Sequence, residues 1–305
     1  MSTTSIIEHP NQNMKNNVAR LLFGGISCMT AATCTNPADV VKVRLQIQGE
    51  KGMALNQAYN NIFRAAYVIL QNEGLRGLYK GITASWLREG SYSAIRLGLY
   101  EPFKGLLGET DPKNTPLWIK FAAGSMSGGV GSFFGNPADL LKIRMQAYEQ
   151  SPSKSLVWHS KQIYGCFGIG GFYKGLQAAV IRAMILNACQ LGTYDHVKHG
   201  ILRMKLLRDG PMCHFVSSIC AGIVMGLATS PVDVIKTRLM NQSTDTASSR
   251  HYNGFIDCLK GIYTNEGLRG FYKGLTAQWA RLGPFTIFQL MVWEKLRKLY
   301  GIQAI

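Results

Sequence analysis

Pro37-Ala38-Asp39-Val40-Val41-Lys42-Val43-Arg44-Leu45-Gln46 returns 100 residues later as Pro137-Ala138-Asp139-Leu140-Leu141-Lys142-Ile143-Arg144-Met145-Gln146. It returns again 94 residues after that, as Pro231-Val232-Asp233-Val234-Ile235-Lys236-Thr237-Arg238-Leu239-Met240. One copy would be an ordinary helix start, with proline ahead of a charged stretch. Three copies at a period near one hundred mean that one structural unit is written three times. In each copy the acid, the lysine and the last residue stand at i, i+3 and i+7, on one stripe of a helix.

Ahead of each copy lies a run without Asp, Glu, Lys or Arg: Leu21 to Ala38, Phe121 to Ala138 and Gly210 to Val232. At about 1.5 Å per residue these 18 to 23 residues reach across a bilayer. Small residues recur 13 and 9 positions before each proline, as Gly24 and Cys28, Gly124 and Gly128, Ser218 and Gly222. Such spacing predicts close helix contacts in lipid.

Composition points the same way. Lys plus Arg number 33 against 17 Asp plus Glu, an excess that calls for an anionic partner. Yet only 16% of residues are charged, below the share of an ordinary soluble domain, and mean hydropathy is near zero at +0.02. The basic residues are spread over all three units, which argues against a nucleic-acid groove. The seven cysteines are scattered and form no CxxC pair, so neither a disulfide framework nor a metal site is expected. No nucleophile-and-base set supports an enzyme. Residues 1 to 14 carry neither a secretory apolar run nor an Arg-rich amphipathic pattern.

After each proline copy a polar connector carries an amphipathic run, read as Tyr59 to Gln71 and Tyr252 to Asn265 in units one and three. The connectors end in Glu73-Gly74-Leu75-Arg76-Gly77-Leu78-Tyr79-Lys80-Gly81 and Glu266-Gly267-Leu268-Arg269-Gly270-Phe271-Tyr272-Lys273-Gly274. Unit two keeps Gly168-Ile169-Gly170-Gly171-Phe172-Tyr173-Lys174-Gly175, with Phe167 at the acidic position. It has no preceding strand and no GKS or GKT, so it is a turn and not a phosphate loop. A second helix then runs from each Lys-Gly. It closes on aromatic, acid, two residues and base: Tyr100, Glu101 and Lys104; Tyr194, Asp195 and Lys198; Trp293, Glu294 and Arg297. Arg88, Arg182 and Arg281 each stand seven residues past that Lys-Gly, about two turns along. Arginine at mid-membrane costs about 2.5 to 3.5 kcal/mol, so three at one depth face water, and their guanidinium forks suit carboxylate, sulfate or phosphate. Glu89 and Arg96 share the second crossing, and spacing leaves open whether they pair with each other or touch a ligand.

PxDxxKxR closing odd helices, EGxxxxYKG after the connector and the aromatic-acid-x-x-base ending of even helices together resemble the mitochondrial carrier family. The branch of closest resemblance holds the oxoglutarate and dicarboxylate carriers and the uncoupling proteins. The resemblance implies an all-α membrane protein of six transmembrane helices in a threefold pseudosymmetric barrel, with three short matrix amphipathic helices, in the inner mitochondrial membrane. The expected division is a polar tail 1–16 and repeats 17–108, 115–208 and 211–301. Implied gate pairs at the matrix end are Asp39 with Lys142, Asp139 with Lys236 and Asp233 with Lys42, braced by Gln46 and Gln146 but not by Met240. By the same resemblance Tyr100, Glu101 and Lys104, Tyr194, Asp195 and Lys198, and Glu294 and Arg297 would form a cytoplasmic gate. Arg88, Arg182 and Arg281 match the family's substrate contact points, with Arg96 and Gln190 completing the expected set. Gly74, Gly81, Gly168, Gly175, Gly267 and Gly274 are where the resemblance places cardiolipin. Uncoupling proteins carry carboxylates at the positions of Ala32 and Gln190. Arg182-Ala183, Asn187-Ala188-Cys189-Gln190-Leu191 and Ala280-Arg281-Leu282-Gly283-Pro284 look like the oxoglutarate carrier. The expectation is therefore a monomeric exchanger of small dianions, without metal, nucleic acid or cofactor beyond cardiolipin. Proton or anion leak is the alternative.

Overall fold

The computed structural model describes residues 10–48, 61–108, 116–147, 154–203, 211–242, 252 and 254–299, and every regular element among them is helical. Each unit contributes a long helix, a connector helix and a second long helix. These are α1 (Pro10–Ile47), α2 (Ile62–Leu78) and α3 (Ile82–Leu106); α4 (Leu117–Ala147), α5 (Leu156–Phe167) and α6 (Leu176–Arg203); and α7 (Pro211–Asn241), α8 (Phe255–Gly270) and α9 (Leu275–Leu299). A 3₁₀ turn, Ile169–Tyr173, joins α5 to α6.

The long helices close a ring. α1 packs on α3, α3 on α4, α4 on α6, α6 on α7, α7 on α9 and α9 back on α1. The odd helices also meet one another, and they do so at the connector end, where the aspartates and lysines of the repeated motif lie. Pro37, Pro137 and Pro231 stand inside α1, α4 and α7, which continue through the motif to Ile47, Ala147 and Asn241. A proline there removes one backbone donor and marks where a long helix can bend.

The apolar core sits at the connector end in three equivalent clusters. Val40, Val41 and Leu45 of α1 join Ala65 and Ile69 of α2 and Ala277 of α9. Leu140, Leu141 and Ile143 join Ile163 of α5 and Ala84 of α3. Val232, Ile235 and Leu239 join Cys258 and Ile262 of α8 and Ala178 of α6. Each alanine lies three residues past a Lys-Gly, so the even helix enters the ring on its smallest face. The residue ahead of each proline ties this end down. Asn36 donates to the carbonyls of Leu78 (2.9 Å) and Lys80 (3.3 Å), Asn136 to those of Phe172 (2.7 Å) and Lys174 (3.3 Å), and Ser230 to that of Phe271 (3.0 Å). These bonds satisfy carbonyls that a turn would otherwise leave unpaired in a packed region.

The predicted small-residue contacts are seen in the second unit. A side chain at Gly124 or Gly128 would come within 3.6 Å of Asn187 or Ala183 on α6. Gly24 and Cys28, like Gly124, line the interior cavity, and Gly222 has open space beside it. Among the described residues, one stretch of the long helices, Val216–Asn241 of α7, is apolar enough to cross a membrane by composition alone, at mean hydropathy 1.6. The others spend part of their length on the polar interior, which lowers the mean without shortening the helix.

Candidate functional site

At the connector end the repeated motif builds a ring of ion pairs across unit boundaries. Lys142 Nζ of α4 lies 2.7 Å from Asp39 of α1, Lys236 Nζ of α7 lies 2.6 Å from Asp139 of α4, and Lys42 Nζ of α1 lies 2.8 Å from Asp233 of α7. All six side chains are largely removed from solvent. A buried ion pair survives only where geometry and further bonds offset desolvation, and each aspartate has a second cation. Arg281 Nε lies 2.7 Å from Asp39, Arg88 Nε 2.9 Å from Asp139, and Arg182 pairs with Asp233. The three arginines thus rest on the three gate aspartates. With the lysines they line a small space of about 70 Å³ at the floor of the interior.

The bracing glutamines differ from the expectation. Gln46 Oε1 accepts from the Thr237 hydroxyl at 2.7 Å while its Nε2 has no partner, and Gln146 Nε2 donates to Asn36 at 3.4 Å. Their side chains reach the neighbouring helix and the proline turn in place of the ion pairs. The backbone carbonyls at the last motif position, Gln46, Gln146 and Met240, carry a load the motif did not suggest. Arg44 Nε donates to Gln146 O (3.2 Å), Arg144 Nε to Met240 O (3.0 Å) and Arg238 Nε to Gln46 O (3.1 Å), stitching each unit to the next. Glu73 pairs with Arg44 (2.6 Å) and Lys80, and Glu266 with Arg238 (2.8 Å) and Lys273 (2.6 Å). In unit two the ring of Phe167 occupies the acid's place under Lys174 Nζ, 3.1 Å from its centroid.

Above this floor opens a cavity of about 410 Å³, lined by Gly24, Cys28, Tyr92, Ser93, Arg96, Tyr100, Lys120, Gly124, Asn187 and Gln289. Arg96 donates to Asn187 Oδ1 at 3.2 Å, and Glu89 pairs with Arg88, so Arg96 and Glu89 do not pair with each other. Lys120, Tyr92 and Gln289 escaped the sequence reading. Lys120 stood just outside an uncharged run, which was the available signal, whereas an uncharged Gln on an amphipathic helix gives none.

At the opposite end the described contacts lie within single helices. Lys104 Nζ lies 3.4 Å from Glu101 of its own helix and over the Tyr100 ring. Glu294 takes Lys298 at 2.9 Å, and Arg297 lies over the Trp293 ring. The side chains of Gln190, Tyr194, Asp195 and Lys198 lie outside the described residues. Among those described, no acid of these endings reaches a base of another unit. The glycines named for lipid sit where the chain turns: Gly74, Gly168 and Gly267 have φ of 68°, 61° and 65°, and Gly81, Gly175 and Gly274 have φ of 75°, 77° and 81°. The left-handed region explains glycine at these positions without reference to lipid.

A ring of six helices, closed at one end by charges and cupping a basic cavity, is the architecture of a membrane solute carrier. A family model described as mitochondrial carrier protein matches residues 13–111, 113–205 and 208–303, and the chain belongs to that family. It is 40% identical over 289 residues to the mitochondrial substrate carrier family protein ucpB of Dictyostelium discoideum, covering 94% of this chain and 97% of that one. It is 35% identical over 297 residues to a probable mitochondrial 2-oxoglutarate/malate carrier protein of the same organism, covering 95% and 92%. Against mitochondrial uncoupling protein 5 of Arabidopsis thaliana it is 34% identical over 300 residues, covering 91% and 96%. The chain is a multi-pass solute carrier of the inner mitochondrial membrane, in a family of transporters and not enzymes.

Proposed function

We propose that the protein exchanges small dianions of the oxoglutarate and malate type across the inner membrane by alternating access, taking them on the ring of Arg88, Arg182 and Arg281. The observation that carries this reading is that each arginine forms an ion pair with a gate aspartate. An anion that draws the guanidinium groups to itself takes one of two cations from Asp39, Asp139 and Asp233 together. Binding at the floor is thereby coupled to loosening of the matrix gate, and the ligand's stronger hold on the occluded state offsets the free energy of breaking it. Arg96 and Lys120, higher in the cavity, draw the anion inward. A cytoplasmic gate built from Tyr100, Glu101 and Lys104, Tyr194, Asp195 and Lys198, and Glu294 and Arg297 would close behind it.

Two relatives support the dianion: the probable 2-oxoglutarate/malate carrier, and the mitochondrial oxaloacetate transport protein of Saccharomyces cerevisiae, 33% identical to this chain. The left-handed glycine turns support cardiolipin at Gly74, Gly168 and Gly267, where backbone N–H groups can take phosphate oxygens. The working unit in this reading is the monomer, since one chain supplies all three arginines. The test is reconstitution into cardiolipin-containing liposomes loaded with malate, followed by uptake of labelled oxoglutarate, malate, sulfate and phosphate. Fast uptake that requires an internal anion is expected. Arg182→Ala should abolish it in a variant that still folds and purifies as wild type does, and wild-type exchange in that variant would sink the assignment. Fatty-acid-stimulated proton flux without exchange would move the protein to the uncoupling reading.

A further inference from the structure

Glu89 breaks the threefold pattern at the floor of the cavity. It stands one residue past Arg88, where the other units carry Ala183 and Leu282. It is only 5% exposed, its carboxylate pairs with Arg88, and the same carboxylate lies 3.9 Å from Arg281 Nη2. From the helices packed around it, Cys28 of α1, Lys142 of α4 and Arg281 of α9 lie within its field, with Asp39 beyond Arg281 and Asp139 beyond Arg88. This carboxylate therefore already occupies part of the arginine ring on which the proposed dianion binds.

We infer that Glu89 is a specificity-determining residue, a tethered carboxylate that sets the charge of the transported anion at two. The inference rests on the arginine-ring reading above. Three lysines and three arginines meet three aspartates and Glu89 in this layer, so six positive charges face four negative and two remain uncompensated. A dicarboxylate restores balance. A tricarboxylate brings one charge too many, and its third carboxylate finds its place on Arg88 filled by Glu89. A monoanion leaves a buried positive charge unmatched. Discrimination of this kind works by exclusion, with the protein's own group standing where the wrong ligand would have to go.

Initial uptake of labelled citrate and of labelled malate, measured separately at pH 7 into malate-loaded liposomes, tests the inference as a ratio. Replacing Glu89 by glutamine keeps the shape and removes the charge, so E89Q should raise the citrate-to-malate ratio roughly tenfold or more, while E89D should keep the wild-type ratio. Leu282→Glu serves as the converse variant should E89Q fail to assemble. By placing a second carboxylate beside Arg281, it should lower malate uptake roughly tenfold relative to the monoanion lactate. Wild type that carries malate, with a ratio unmoved in E89Q or in Leu282→Glu, would overturn the role of Glu89 and leave the dianion reading standing. Wild type that carries neither malate nor oxoglutarate would overturn both.

Discussion

Glu73 is one buried carboxylate serving two cations, Arg44 at 2.6 Å and Lys80, and Glu266 does the same for Arg238 and Lys273. Arg44 is among the most deeply buried side chains of the protein, at 1% exposure. Removing one partner of such a set leaves a charge in a packed region, which costs on the order of 3–5 kcal/mol. Glu73→Ala is therefore expected to lower the melting temperature sharply in detergent solution, with Glu266→Ala close behind, and a melting temperature within a degree of wild type would refute this. The exception at Phe167 was legible from the missing acid in the motif. The contact of each arginine with a gate aspartate was not. It joins the even helix of one unit to the odd helix of the next, and residue spacing within a unit carries no information about that step.

At the scale of the element, the connector helices show how a threefold plan admits local change. Each buries two residues one turn apart: Ala65 and Ile69 in α2, His159 and Ile163 in α5, Cys258 and Ile262 in α8. His159 thus holds a place filled elsewhere by small, uncharged groups. Burial, with the Arg144 guanidinium nearby as the lesser cause, pushes its pKa down to about 4. The unfolded chain takes up this proton near pH 6.5 and the folded chain does not. Stability from this group is therefore present above about pH 6.5 and is lost as pH falls toward 4, by up to about 2 kcal/mol at pH 5. His159→Cys, copying α8, should flatten the acid side of a melting-temperature profile recorded from pH 7 to 5; an unchanged slope would refute this. The apolar spacing gave the connector helices in units one and three as Tyr59 to Gln71 and Tyr252 to Asn265, whereas α2 and α8 run to Leu78 and Gly270. Tyr59 lies outside the described residues. The helices continue because each passes through a left-handed glycine, Gly74 or Gly267, and resumes beyond it. In sequence such a glycine reads as a stop.

For the whole molecule, the connector end is bound by three interunit ion pairs, while at the other end, among the described side chains, Lys104 meets Glu101 and Lys298 meets Glu294. Cys28, on the wall of the 410 Å³ cavity, should react with a membrane-impermeant thiol reagent from the cytoplasmic side in a variant that keeps no other cysteine. Saturating substrate should slow that reaction, and labelling only from the matrix side would contradict the arrangement. The barrel was legible because a period of one hundred residues survives any local substitution, and the pairing of Asp39 with Lys142 followed from resemblance. The cavity wall was legible at Arg96 and Tyr100 but not elsewhere, since Tyr92, Asn187 and Gln289 come from three helices and share no motif. Where the second repeat meets the third, Phe167 stands for the acid, and Gly175 packs on Met240 where its equivalents pack on Gln146 and Gln46. Two residues that break the symmetry at this one joint make the three seams chemically distinct, so a machine built on one repeated plan does not have three interchangeable fastenings.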